Sequence, residues 1–248
     1  MHWDDYDAAL FDLDGVLTPT AEVHMRAWAR MFGEFLDSHD GGDTSAYTDQ
    51  DYFDHVDGLP RYEGVAAFLA SRGIELPRGG PDDPPEAVTV CGLGNRKNVL
   101  LTQVLHAEGI TPYAGSVALL DHLAGIGVQV AVVSSSRNAP DVLRTAGIAD
   151  RFTVVVDGTV AAEQHLPGKP RPDTYAYAAG RLGVPTARSV VLEDAVSGVQ
   201  AGAGGGFGLV VGVDRGAGRE ALLRGGADVV VTDLAELIHS ESTNSEPT

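Results

Sequence analysis

Two carboxylates near the N-terminus, Asp12 and Asp14 in Phe11-Asp-Leu-Asp-Gly15, are where a reaction can first be read. Gly15 lets the chain turn there. One carboxylate can then attack phosphorus while the other handles a proton on the leaving or attacking oxygen. A carboxylate repels a phosphate dianion, so a divalent cation is needed between them. Asp12, the backbone carbonyl of Asp14, and Asp194 supply hard oxygen ligands suited to Mg²⁺, with Glu193 adjacent or bound through water. Lys169 can place a cation on the phosphate and on the nucleophile. The Ser134 hydroxyl and neighbouring backbone N–H groups can take the remaining phosphoryl oxygens. The chemistry these residues suit is phosphoryl transfer through a covalent aspartyl phosphate. Any one of them alone is weak: a strand-end Asp caps the next helix more often than it catalyses. Their joint occurrence, in this order, is what carries the reading.

Positioning such a set requires strands that end together. Asp7–Leu13 reads as a buried strand meeting a turn, with further strands at 128–133, 152–156, 189–192, 208–213 and 228–231. Helical spacing links Val117, Leu120, Leu123 and Ile126, and helices follow around 142–147, 175–182 and 195–203. Short strands alternating with helices mean βαβ units, hence an α/β fold: a doubly wound, Rossmann-like parallel sheet. Ligands of such sheets bind beyond the C-terminal strand ends. Asp12 and Asp14, Ser134, Lys169, and Glu193-Asp194 all follow predicted strands.

Residues 19–109 break the rhythm. Met25, Trp28, Ala29, Phe32, Phe35 and Leu36 form one helical stripe, Val65, Phe68 and Leu69 a second, and Val99, Leu100, Val104 and Leu105 a third. This predicts a helical cap domain inserted after the first strand, with 1–18 and 110–248 forming the core and 240–248 a frayed tail. Seven aspartates from Asp37 to Asp57 occur with no Lys or Arg between Arg30 and Arg61. They lack the EF-hand ligand pattern and read as a solvated acidic loop. Gly202–Gly208 precedes a strand and misses the dinucleotide spacing, so it is a helix stop and not a phosphate cradle.

Composition sets outer limits. The 248 residues carry 35 Asp and Glu against 17 Lys and Arg, a net charge of -18. That excludes nucleic acid or an anionic membrane surface as the main partner. Fifteen of the cations are Arg, and only Lys97 and Lys169 are Lys. The single Cys91 excludes an internal disulfide and a cysteine-based metal site. No apolar run is long enough to span a bilayer and the first residues lack a signal-peptide core, so a soluble, cytoplasmic protein is expected; a monomer is expected as well.

Four stretches resemble the haloacid dehalogenase superfamily: Phe11-Asp-Leu-Asp-Gly-Val-Leu-Thr18, Val133-Ser-Ser-Ser-Arg-Asn138, Gly168-Lys-Pro-Arg-Pro172 and Val191-Leu-Glu-Asp-Ala-Val-Ser-Gly-Val-Gln-Ala201. The resemblance implies Asp12 as nucleophile and Asp14 as general acid/base. It makes Ser134 and Lys169 phosphate holders and Glu193 and Asp194 metal-site residues, and it implies a cis Lys169–Pro170 bond. An acid two residues after the nucleophile favours phosphatases and phosphomutases over dehalogenases. The insert looks like the cap of the β-phosphoglucomutase-like branch, through Thr20-Ala-Glu-Val-His24-Met-Arg-Ala-Trp28, Gly58-Leu-Pro-Arg61 and Asn95-Arg-Lys97-Asn98. Carried over, Thr20, His24, Gly58, Arg61, Lys97, Ser135, Ser136, Arg137 and Asn138 contact a small phosphorylated sugar. Arg61 grips the phosphate that stays in place, and His24 and Lys97 couple cap closure to Asp14. Departures are Pro19, where an acid is common, and longer loops at 38–57 and 77–86. The activity implied is Mg²⁺-dependent interconversion of β-glucose 1-phosphate and glucose 6-phosphate through the 1,6-bisphosphate, alongside a sugar phosphorylase. The alternatives are a sugar-phosphate phosphatase with the same Asp12 chemistry, or a catalytically silent phosphosugar-binding protein.

Overall fold

A computed structural model describes residues 1–238. In chain order the elements are β1 (Ala8–Phe11), α1 (Thr20–Leu36), α2 (Asp49–His55), α3 (Arg61–Ser71), α4 (Val90–Glu108), α5 (Ala114–Ile126), β2 (Gln129–Val133), α6 (Ala139–Thr145), β3 (Val154–Val156), α7 (Gly158–Glu163), α8 (Asp173–Leu182), β4 (Ser189–Glu193), α9 (Val196–Gly204), β5 (Leu209–Val213), α10 (Arg219–Gly225) and β6 (Val229–Val231). All strand pairs are parallel, in the order β3-β2-β1-β4-β5-β6. The doubly wound α/β sheet expected from the alternation is therefore present, with the helical insertion α1–α4 after β1.

Strand β1 lies at the centre, hydrogen-bonded to β2 and β4, and all four of its residues are buried. Alternate side chains point to opposite faces. Ala9 and Phe11 enter one core with Leu119, Leu123, Val132 and Leu192. Ala8 and Leu10 enter a second, with Tyr175, Ala178 and Ala179 of α8. The insertion continues the first core: Trp28, Phe32, Phe68 and Leu101 belong to it, with Phe32 and Phe68 ring centroids 4.1 Å apart. Aromatic pairs at such distances add to plain area burial.

Several boundaries differ from those the sequence suggests. The third strand is only Val154–Val156, and the helix anticipated from Val99 starts at Val90, where Thr89 accepts from the Gly92 N–H at 2.9 Å. Val90 and Leu93, both in the core, already open the helical stripe there, and the Thr89 cap fixes the start. The short helices α2, α7 and α10 are too brief for a periodic signal. The acidic loop is not uniformly solvated. Arg72 reaches back from α3's end to Asp43 (3.3 Å) and Asp51 (2.8 Å), and Thr48 and Asp51 form a capping box on α2. The balancing cation lies beyond the window that holds none. The tail at 240–248 lies outside the described residues. Among the described residues, no helix is long and apolar enough to cross a membrane.

Candidate active site

The C-terminal ends of β1, β2, β3 and β4 deliver the predicted side chains to one place. Asp12 is fixed just beyond β1 by its N–H, which donates to Leu192 O of β4 at 2.9 Å. Lys169, in the loop between α7 and α8, extends its Nζ to Asp12 Oδ1 at 2.5 Å, to Val133 O at 3.2 Å and to Glu193 Oε1. The Lys169–Pro170 peptide is cis, as the resemblance implies. Glu193 also accepts from the Tyr175 hydroxyl at 3.0 Å and, on its other oxygen, from the Ala195 N–H at 3.0 Å. Two glycines make room: a Cβ on Gly15 would run into the Asp194 carboxylate, and one on Gly198 into that of Glu193. Gly15 also sits at φ 87°, where glycine alone is unstrained.

This is a concentrated set of negative charge in a buried site. Asp12, Glu193 and Asp194 offer oxygens all within 4.8 Å of one another. Burial holds the Asp12 carboxyl well above the usual carboxylate range, Lys169 relieving only part of that and Glu193 adding to it. Burial, with Asp12 and Glu193 beside it, does the same to Asp194. Burial opposes the charge on Lys169, but Asp12 and Glu193 outweigh it and keep its pKa well above the usual lysine value. Hard oxygen donors whose charge burial disfavours form a set that a small divalent cation would relieve.

Asp14 is held differently. Thr20, fully buried, donates to its Oδ1, and Thr18 lies 2.8 Å from Thr20 hydroxyl to hydroxyl. His24 Nε2 stands 3.6 Å from the same carboxylate. Burial, then the neighbouring Lys97, lowers the His24 pKa to about 4, so the ring is neutral near pH 7 and the pair is not ionic. Lys97 Nζ lies 3.1 Å from His24 Nδ1 and 5.0 Å from the Trp28 ring centroid. Burial, followed by repulsion from Arg61, brings the Lys97 pKa down to about 7.

A cavity of about 440 Å³ joins these groups. Asp12, Asp14, His24, Gly58, Arg61, Lys97, Ser134 to Asn138, Lys169, Glu193 and Asp194 all line it. Thr20 does not: it stands behind Asp14, and its expected contact with substrate is replaced by this hydrogen bond. Arg61 donates to Asn98 Oδ1 at 3.0 Å and to Asn95 Oδ1 at 3.4 Å, both neutral amides. Among the described ion pairs none involves Arg61, so its guanidinium is not neutralised by the acidic loop preceding it. Asn95 is itself anchored to the 77–86 loop through Pro81 O (3.0 Å) and Asp83 O (2.8 Å), so that longer loop helps seat Arg61. Ser136 Oγ accepts from the Asn138 N–H at 3.1 Å, and Ser134 Oγ from the Ser136 N–H at 3.1 Å. Insertion and sheet meet where Asn138 donates to Asn98 at 2.5 Å and Ser135 to Gly58 O at 3.3 Å.

Four participants escape the motif reading. Asn98 bridges Arg61 and Asn138; it lies inside a matched segment without a role. Tyr175 carries only a helical signal, although its position six after Lys169 places it under that lysine, with Nζ 5.0 Å from its ring centroid. Asp57 and Tyr52 line the cavity, and burial pushes the Asp57 carboxyl up to about 6 despite the Tyr52 hydroxyl. No spacing rule distinguishes Asp57 from its six acidic neighbours.

Comparison with known proteins gives the chain's relatives. A family model described as haloacid dehalogenase-like hydrolase matches residues 6–206. A β-phosphoglucomutase of Mycobacterium bovis is 50% identical over 240 residues, covering 93% of this chain and 91% of that one. The crystal structure of a β-phosphoglucomutase from Clostridium difficile superimposes with a TM-score of 0.73 at 25% identity, covering 94% of this chain and 93% of its own. The structure of a CbbY mutant from Rhodobacter sphaeroides in complex with xylulose-(1,5)bisphosphate gives 0.73 at 26%, with 94% and 96% covered.

Proposed function

The chain belongs to the haloacid dehalogenase-like hydrolase family, and from that premise we propose that it is a Mg²⁺-dependent β-phosphoglucomutase working through a phosphoaspartate on Asp12. The observation that carries the reading is a single cavity holding both the Asp12–Lys169–Glu193–Asp194 cluster and a half-buried guanidinium, Arg61, that no described carboxylate neutralises. A hydrolase acting on a lone phosphate needs only the first. A sugar carrying phosphates at both ends needs both. The 50% identity to a mycobacterial β-phosphoglucomutase supports the same choice.

Asp12, Glu193 and Asp194, with the backbone carbonyl of Asp14, would hold Mg²⁺, and when bound it supplies positive charge between nucleophile and phosphate. The residues of the chain do the rest. Asp12 Oδ attacks the phosphorus of the bisphosphate, and the bond from phosphorus to the sugar oxygen breaks. Asp14 gives that oxygen a proton, so the sugar leaves as an alcohol. A β-glucose 1-phosphate then presents its free 6-hydroxyl; Asp14 takes that proton as the hydroxyl oxygen attacks phospho-Asp12, the Asp12–phosphorus bond breaks, and the bisphosphate and free Asp12 are restored. Lys169 and the N–H groups around Ser134 hold the phosphoryl oxygens during both steps. Arg61 and Arg137 grip the idle phosphate, Arg61 in the forked geometry a guanidinium allows. Residues 19–109 act as the cap that selects the sugar and excludes water, since water reaching phospho-Asp12 would turn a mutase into a phosphatase.

Phosphorus NMR tests this directly. Given β-glucose 1-phosphate, Mg²⁺ and a trace of the 1,6-bisphosphate, the enzyme should accumulate glucose 6-phosphate. Release of inorganic phosphate alone would reject the mutase and leave a sugar-phosphate phosphatase.

A further inference from the structure

Outside the four motifs, one cation reaches the turn that carries Asp14. Arg215 follows β5, about two hundred residues further along the chain. Its Nε donates to Gly15 O at 2.9 Å and its Nη1 to Thr232 O, at the end of β6, also at 2.9 Å. The guanidinium carbon lies 3.9 Å from the centroid of the Tyr113 ring. Tyr113 is the residue through which the chain returns from the insertion, and its N–H donates to Leu17 O at 3.0 Å. One side chain thus grips the acid/base turn, the far edge of the sheet and the re-entry point of the insertion.

The loop presenting Arg215 is itself braced. Asp214 Oδ1 accepts from the N–H groups of Gly216 and Gly218, both at 3.1 Å, and the Asp214 N–H donates to Val231 O at 2.8 Å. From the insertion, the Phe53 ring of α2 rests against Gly216, with its Cζ 3.9 Å from where a Cβ would stand. The remaining amino group, Nη2, is buried without a hydrogen-bond partner among the described residues. Leaving a buried donor unpaired is unfavourable, and the fold accepts it to keep the two carbonyl bonds and the ring stack.

We propose that Arg215 is a positioning residue for Asp14, clamping the Asp14–Gly15 turn and tying it to the segment where the insertion rejoins the sheet. It rests on the reading of Asp14 as the proton donor and acceptor. Loss of the clamp should leave Asp12 and Lys169 in place, because β1, β4 and the 168–170 loop hold them. What should fail is delivery of the proton to the leaving oxygen.

The test separates leaving groups that need a proton from those that do not. Formation of phospho-Asp12 is followed in a single turnover at saturating Mg²⁺, with β-glucose 1,6-bisphosphate and with p-nitrophenyl phosphate. In both, Asp12 Oδ bonds to phosphorus and the ester P–O bond breaks. The sugar oxygen must take a proton, whereas p-nitrophenolate departs as the anion. Arg215→Met should slow the sugar-phosphate reaction by about 10- to 100-fold, as expected for a displaced acid, and the p-nitrophenyl reaction by no more than about threefold. Equal losses on both substrates would overturn the proposal. Arg215→Lys keeps the charge and much of the stem, and guards against a variant that fails to fold. A single ammonium cannot reproduce the two-carbonyl fork, so the same split is expected. A wild-type sugar-phosphate rate in Arg215→Lys would also reject the clamp. Asp14→Ala in the same assay tells the two failures apart. If Asp14→Ala shows the split and Arg215→Met does not, only the clamp falls. If Asp14→Ala slows both substrates equally, the acid/base reading falls.

Discussion

Asp57→Asn should make the metal-free protein more stable at neutral pH, with the gain vanishing in acid. Burial pushes the Asp57 carboxyl up to about 6 from an ordinary 3.8, with the Tyr52 hydroxyl and the Gly58 N–H only partly offsetting it. Because the folded pKa lies above the unfolded one, the stability this group contributes is fully present below about pH 4 and is lost as pH rises through about 6. A shift of about two units corresponds to ~3 kcal/mol, and partial exposure at the cavity wall trims that to ~2 kcal/mol. Asparagine keeps an oxygen to accept from Tyr52 and from Gly58 and never ionises. Urea unfolding in EDTA at pH 3.5, 6 and 7.5 should give variant and wild-type midpoints that nearly coincide at the lowest pH. At the highest, the variant midpoint should be greater by ~2 kcal/mol divided by the measured m-value. EDTA matters, since bound metal would mask the repulsion among Asp57, Glu193 and Asp194. A difference constant across pH, or an asparagine variant weaker at pH 7.5, would refute the assignment of a raised carboxyl here.

Three other outcomes follow from the same geometry. Asp12→Asn should abolish turnover and the formation of phosphoenzyme, detectable as loss of acid-quenched radiolabel on the protein; a labelled variant would identify another nucleophile. Arg61→Ala should lower mutase flux by about 10²-fold or more, while hydrolysis of a small monophosphate changes by less than about threefold, because only a bisphosphate needs its second end anchored. Parallel losses in both assays would remove Arg61 from that role. Lys97, with its pKa brought to about 7, loses its proton as pH rises through neutrality, so KM for the sugar phosphate should climb between pH 6.5 and 8.5. Lys97→Met should flatten that rise, and an unchanged profile in the variant would assign it to another group.

How much of this is legible in the sequence depends on the range of the signal. The parallel sheet and its order of chemistry are readable because short apolar strands end at Asp12, Ser134 and Glu193, and a parallel sheet brings those ends to one edge. Lys169 stands out as one of two lysines. By contrast, Arg215 meets Gly15 across two hundred positions, and no local pattern announces that contact. Arg72 neutralises Asp43 and Asp51 from outside the acidic stretch, so a charge run judged by its own composition misleads. Thr20 falls in a segment that matches a cap motif and so points to substrate, yet its hydroxyl is consumed by Asp14. Motif spacing locates backbone, whereas the direction of a short polar side chain is decided by whichever buried partner it can satisfy.

The hydrogen bond between Leu17 O and the Tyr113 N–H, 3.0 Å long, has a consequence for how such a chain can change. The insertion leaves and re-enters the sheet at neighbouring points, so to the sheet it is a long surface loop whose ends already touch. Its length and internal design can therefore drift or be exchanged wholesale with little effect on loop closure or strand pairing. On the proposed function, the reaction chemistry resides on one side of that junction and most of the selectivity on the other. A lineage can thus replace one contiguous stretch of sequence while Asp12, Lys169, Glu193 and Asp194 are inherited unaltered.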